Sequence, residues 1–154
     1  MLNPGPIHAS RKVVLRGAAA GSAAAAAWLL AEPVIRRRTR LSYGEARLLG
    51  RLATADGPWR PLGTAAHLVN GAVFGATFAV LGRRGIRDGI VAAQLENLAL
   101  WPSMALVDRH HPDRQSGAWP SLATDRRIIG HELVGHLIFG LVLGLLTARR
   151  SSME

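Results

Sequence analysis

Among the polar side chains within long apolar stretches of this sequence, which also include Glu32 and Gln94, seven form a candidate pocket with the side-chain types that proton transfer and ligand binding need. They are His67, Asn70, Glu96, Asn97, His131, Glu132 and His136. Carboxyl and imidazole groups take up and release protons, and both bind metal ions. An ionisable side chain at the centre of a bilayer costs about 2.5–3.5 kcal/mol on insertion scales, so each one needs a partner or a function.

The segment from His131 to His136 contains the residue types of a zinc-protease signature at a different spacing. That signature needs two histidines four residues apart on one helix face, with a glutamate between them as the base. Here the two histidines are five residues apart, which is about 140° around a helix. They cannot both face one ion, so we exclude a metalloprotease. Glu132 and His136 are four residues apart and share a face.

Three interpretations of these polar residues remain open. In the first, Glu132 and His136 form hydrogen bonds with each other and with neighbours such as Asn97, and hold helices together. In the second, Glu96, Glu132 and His136 form a path for protons or ions. In the third, His67 with His131 or His136 supplies axial nitrogens to haem, or binds a divalent metal together with Glu132. The spacing is not that of a multi-ligand metal site and no haem motif is present, so we expect no cofactor.

The elements that must position these residues are four apolar stretches containing none of the 19 basic residues: 17–35, 63–82, 89–107 and 128–147. About 20 residues at roughly 1.5 Å per residue span the roughly 30 Å hydrocarbon core of a bilayer. A soluble bundle would instead have charge along one face of every helix. The sequence therefore predicts an all-α integral membrane bundle of four helices, and we expect it in a bacterial inner membrane.

We expect one membrane domain over residues 1–154, with a flexible N-terminus at 1–12. The predicted helices cover about 13–35, 63–82, 89–107 and 128–148, and the long loops cover 36–62 and 108–127. Within the first loop, Leu41–Ala53 has the pattern of a short interfacial helix. A tight turn at 83–89 predicts an antiparallel hairpin of the second and third helices. The polar residues then all fall in the half of the membrane nearest the long loops.

We expect the first helix to be the weakest of the four spans, because its alanine-rich composition suggests the lowest hydrophobicity. With four crossings, Lys and Arg are distributed almost evenly between the two sides of the membrane. With three crossings the asymmetry is greater, which is the more usual pattern. The sequence leaves the orientation and the crossing of the first helix open.

Two sequence patterns concern how the helices pack. Gly57-Pro58-Trp59 and Gly117-Ala118-Trp119 precede spans that contain His67 and His131 at similar positions, which suggests a parallel internal repeat of two helices plus two helices. Small residues four apart on one face let helix backbones approach each other. Such pairs are Gly17 and Gly21, Gly71 and Gly75, and Gly140 and Gly144.

The formal net charge of +9 comes from arginines that flank the apolar stretches, where they bind lipid headgroups rather than nucleic acid. The absence of cysteine excludes disulfides and thiolate sites. No nucleophile–base pair stands out, so an enzyme is the least favoured class. The first hypothesis is a structural or interaction component whose partners are lipid, other membrane proteins or a second copy of itself. The alternative is a small transporter or proton-coupled carrier that uses the Glu/His pocket.

Overall fold

A computed structural model of the chain describes residues 10–54 and 56–148, and all of their regular structure is helical. The helices are α1 (Arg11–Thr39), α2 (Glu45–Ala53), α3 (Trp59–Val80), α4 (Ile86–His110), α5 (Pro112–Gln115) and α6 (Arg126–Ala148). Four of them, α1, α3, α4 and α6, are long and apolar enough to span a membrane. The prediction of an all-α bundle with four apolar helices is therefore confirmed. The most apolar part of α1 is more hydrophobic than that of α3 or α4, because alanine is itself apolar, so the expectation that the first span is the weakest is wrong.

Much of the segment 36–62, predicted as a long loop, is helical. Helix α1 continues to Thr39, where three arginines in its last turn interact favourably with the negative end of the helix dipole. It ends at Arg40, which adopts a left-handed conformation (φ 55°) and donates its N–H to the carbonyl of Arg36. Helix α2 follows within the predicted interfacial segment. At the other end of α1, Ser10 caps the helix, and residues 1–9 of the predicted flexible start lie outside the described part.

Glycines allow α1 to lie directly against α3 in the antiparallel direction. A Cβ atom added at Gly21 would overlap the carbonyl oxygen of Gly71, and one added at Gly17 would overlap that of Gly75. Helices α4 and α6 approach each other in the same way, because a Cβ at Gly89 would overlap the carbonyl oxygen of Gly140. Since α1 lies alongside α3, a bilayer that encloses α3 also encloses α1, which favours four crossings over three.

Helices α3 and α4 are joined by a short turn but separate beyond it. Gly82 and Gly85 form the turn with positive φ angles of 66° and 89°, which glycine adopts without strain. Beyond the turn α3 packs on α1 and α2, whereas α4 packs on α6. Over the described residues α3 and α4 hardly touch, so a crevice runs between them.

The end of the bundle opposite this turn is covered by α2, α5 and the segments around them, which we call the cap. Its apolar cluster consists of Leu41, Tyr43, Leu48, Trp119, Leu122 and Ile128. The Arg47 guanidinium joins α2 to α5 by donating two hydrogen bonds to the Asp113 carboxylate, at 2.8 and 2.7 Å. The internal repeat stays a prediction: the short helix of the first half has nine residues and that of the second half has four.

Candidate functional site

A cavity of about 250 Å³ lies beneath α2, among all four long helices. It brings together six of the seven polar residues singled out in the sequence: His67, Asn70, Glu96, Asn97, Glu132 and His136. The seventh, His131, lies outside the cavity wall and is fully buried in the cap, with its ring centroid 5.1 Å from that of Tyr43. Of the seven predicted site residues, the cavity wall therefore contains all except His131.

Glu45 and Trp28 also line the cavity, and sequence reasoning did not select either of them as a site residue. Glu45 is the first residue of α2, outside the apolar stretches, and reaches the cavity because α2 folds back over α3. The sequence contains one weak sign that Glu45 belongs to the site: it is the only acidic residue between Arg36 and Thr54. Trp28 lies in the alanine-rich first stretch, and its indole ring contacts two histidines of the cavity.

Tyr43 joins two carboxyl groups at the top of the cavity. Its hydroxyl oxygen lies 2.7 Å from Oε1 of Glu132 and 3.3 Å from Oε2 of Glu45. A phenol has one proton and can donate only one full hydrogen bond. Burial and the two nearby carboxylates raise the pKa of Tyr43 well above its ordinary value, so the phenol keeps that proton. Both contacts are satisfied when Tyr43 donates to an ionised Glu132 and accepts from a protonated Glu45.

Glu32 connects the end of α1 to the start of α2. Its Oε2 accepts a hydrogen bond from the backbone N–H of Glu45 at 3.0 Å, and its Oε1 lies 3.8 Å from the Arg36 guanidinium. The residue before α2 is Gly44, which has no side chain to cap the helix, so the carboxylate of Glu32 satisfies a free N–H in its place. Any Cβ at Gly44 would overlap this carboxylate.

The two histidines of the cavity pack against Trp28. Ring centroids lie 5.0 Å apart for Trp28 and His67, and 4.7 Å apart for Trp28 and His136. Nδ1 of His136 is 2.8 Å from the carbonyl oxygen of Glu132, which can only accept, so Nδ1 bears the proton and Nε2 is left as an acceptor. His67 is 4% exposed, and its Nε2 has no hydrogen-bond partner among the described residues.

Glu45 should make the stability of the protein depend on pH. Burial, followed by the charges of Glu132 and Glu32, raises the pKa of Glu45 well above its ordinary value of 4.5. The folded protein then binds more protons than the unfolded chain, so the stabilising contribution of Glu45 is complete below about pH 4.5 and decreases as pH rises towards the raised pKa. Glu45→Gln should flatten this part of the curve of unfolding free energy against pH.

The curve can be measured by unfolding in mixed micelles at a series of pH values. Asp56→Asn is the matched control, because it removes an exposed carboxyl group and should leave the slope as in the wild type. An identical slope in wild type and Glu45→Gln would contradict a raised pKa of Glu45.

Within residues 10–54 and 56–148, no group of three or more His, Asp or Glu side chains is arranged to hold a metal ion. What the site offers is carboxyl, imidazole and amide groups around a space that a small ligand can occupy. In comparisons with known protein families, curated proteins and solved structures, nothing matches this chain. The chemistry of the site therefore follows from its own residues.

Proposed function

We propose that this chain is a small proton-coupled membrane transporter whose polar cavity also carries protons when no substrate is bound. The observation that supports this proposal most directly is that the polar residues surround a space. Glu96 shows this best: it lines the cavity and has no hydrogen bond or ion pair within the described residues. Intramembrane ionisable residues around a cavity are typical of substrate and proton pathways. We also propose that the protein resides in a bacterial inner membrane.

A purely structural role explains the same residues less well. Polar groups that hold helices together should be paired across helix boundaries. The carboxyl of Glu132 is paired in this way with Tyr43, and Gln94 donates to the carbonyl of Leu133 at 2.9 Å. The Nε2 of buried His67 is unpaired among the described residues, which costs energy that a structural role does not require. Glu96 is half-buried on the cavity wall.

Hydrogen bonds at the top of the cavity link Glu45, Tyr43 and Glu132 in a chain that can pass a proton. A proton on Glu45 can pass to the Tyr43 oxygen while the phenol proton moves to Glu132. His136 is the imidazole beside Glu132, with its Nδ1 3.8 Å from Oε2 of that carboxyl; because Nδ1 already bears a proton, the imidazole takes up a further proton at Nε2. The path links the cap, where Glu45 begins α2, to the cavity that faces α3 and α4.

Glu132→Gln tests the proposal because it keeps the size of the side chain and an acceptor for Tyr43 but cannot be ionised. In proteoliposomes containing a pH-sensitive dye, a membrane potential should drive protons inwards faster with wild-type protein than in empty liposomes. Glu132→Gln should return the rate to that of empty liposomes, since the path is interrupted.

Asp56→Asn, which removes an exposed carboxyl group between α2 and α3, should transport protons at the wild-type rate. Two results would reject the transporter: a wild-type rate equal to that of empty liposomes, or an unchanged rate in Glu132→Gln.

A further inference from the structure

We infer that the substrate is an amphiphilic organic cation, with its charged head in the polar cavity and its apolar part in the crevice between α3 and α4. This inference rests on the proposed transporter and specifies its substrate class. It is based on the distribution of charge, the aromatic wall of the cavity and the shape of the crevice.

Charge is sharply segregated around the cavity. The chain has 19 basic and 10 acidic residues, yet the described residues that line the cavity include three glutamates and no lysine or arginine. The three are Glu45, Glu96 and Glu132. Away from water, carboxylates without a basic partner attract a cation strongly, since the interaction is weakly screened. A cation and a proton then compete for the same carboxyl groups, which is the requirement for exchange.

Aromatic rings line the same cavity as these carboxyl groups. Trp28, Phe74, Trp101 and Phe139 line the cavity. The faces of aromatic rings attract organic cations, with tryptophan the most effective, and such rings also exclude water. The unpaired Nε2 of buried His67 is a further polar group in the wall that has no partner among the described residues. A volume of about 250 Å³ is below the roughly 300–1,000 Å³ of pockets for drug-sized ligands, so the head must be compact.

A second, mostly apolar groove of about 330 Å³ continues the crevice towards the turn between α3 and α4. Phe74 lines both spaces, so they adjoin. The apolar side chains of the groove are Phe74, Phe78, Leu81, Val91, Ala92 and Leu95. A ligand whose head lies near Glu96 would therefore place a short alkyl chain in this groove.

The cavity is open between α3 and α4. Its exposed wall residues include Asn70 on α3 and Leu100 and Ser103 on α4. Asn70 lies near the middle of α3, so the opening is at the depth of the hydrocarbon core when α3 spans the bilayer. An amphiphile dissolved in the lipid can therefore enter sideways, with its head moving into the polar half.

Equilibrium binding to the full chain in lipid nanodiscs tests the inference without requiring transport. The probes are hexyltrimethylammonium, tetramethylammonium and hexyl sulfate, and empty nanodiscs give the partitioning into lipid. We expect hexyltrimethylammonium to bind more tightly than tetramethylammonium, and hexyl sulfate not to bind. Glu96→Gln should weaken binding of hexyltrimethylammonium by at least about tenfold, because the head loses its charged partner.

A second variant tests the apolar half of the site. Thr77 is exposed and lines the groove, so Thr77→Trp should fill it and remove the advantage of hexyltrimethylammonium over tetramethylammonium. Val69→Trp, at an exposed position of the same helix that lines neither space, should bind as the wild type does.

Binding of hexyl sulfate as tight as that of the cation, or affinities unchanged in both Glu96→Gln and Thr77→Trp, would overturn the inference. Proton flux without cation binding would reject this substrate class and leave the transporter standing. Cation binding without proton flux would support the site and reject the transporter.

Discussion

Replacing Trp28 by alanine should lower the free energy of unfolding by about 3–5 kcal/mol, as expected for a buried tryptophan. Trp28 is 3% exposed at the junction of α1, α3 and α6, where it contacts His67 and His136. Within a bilayer the loss comes mainly from van der Waals contacts, since lipid is as apolar as the side chain. Trp28→Phe should cost much less, because the indole Nε1 has no hydrogen-bond partner among the described residues.

Gly135 allows this contact to be tested by a double-mutant cycle. A Cβ atom at Gly135 would overlap the indole of Trp28 and would meet no other group as closely. Gly135→Ala alone should therefore destabilise the protein by about 1–3 kcal/mol through overpacking. In the Trp28→Ala background the space is empty, and the same substitution should cost little or stabilise.

The four proteins of the cycle can be compared by reversible unfolding in mixed micelles. Free-energy changes of the two single variants that simply add in the double variant would contradict direct contact between the indole and the α6 backbone. Gly130→Ala is the matched control in the same helix, because a Cβ there meets nothing within 4 Å among the described residues.

Asp113→Asn should produce the second large effect, a loss of about 2–4 kcal/mol of unfolding free energy. Asp113 is 2% exposed and accepts both hydrogen bonds from Arg47, with the Arg51 guanidinium 3.9 Å away. Breaking a buried ion pair typically costs about 3–5 kcal/mol, because a charge is left buried without its partner. The side chain of Arg47 is 28% exposed, so water compensates part of that loss.

Asp125→Asn is the control for this ion pair. Asp125 also accepts two hydrogen bonds from the guanidinium of an arginine, Arg127, but the Arg127 side chain is 52% exposed. Surface pairs contribute little, so Asp125→Asn should change stability only slightly. Equal effects of the two substitutions would show that the pair joining α2 to α5 is not effectively buried. The comparison needs only the unfolding free energies of the two variants and the wild type.

The ion pair also bears on the site, because α2 supplies Glu45. When Arg47 no longer holds α2 to α5, the geometry between Tyr43, Glu45 and Glu132 depends on fewer contacts. Asp113→Asn should therefore also reduce the pH dependence that Glu45 imposes on stability. A variant with lower stability but an unchanged slope against pH would show that α2 keeps its position without the pair.

Local composition determined the class of this protein. Four stretches without basic residues, each about as long as a bilayer is thick, permit little except membrane-spanning helices, because every backbone group must be paired within its own helix. The one-sided clustering of polar residues also followed from sequence, since antiparallel helices of known length fix the depth of each residue. These properties depend on near neighbours in the chain, and a single sequence contains that information.

Only the tertiary structure decided which groups meet. The sequence placed Glu45 outside the spans, but the packing of α2 over α3 brings it to the cavity. His131 has the same depth and chemistry as its neighbours, yet its position on α6 directs it into the cap and out of the cavity wall. The short turn predicted a hairpin, but close glycine contacts of α1 with α3 and of α4 with α6 separate α3 from α4. The cavity exists because helix pairing depends on contacts between residues far apart in the chain, which no local pattern encodes.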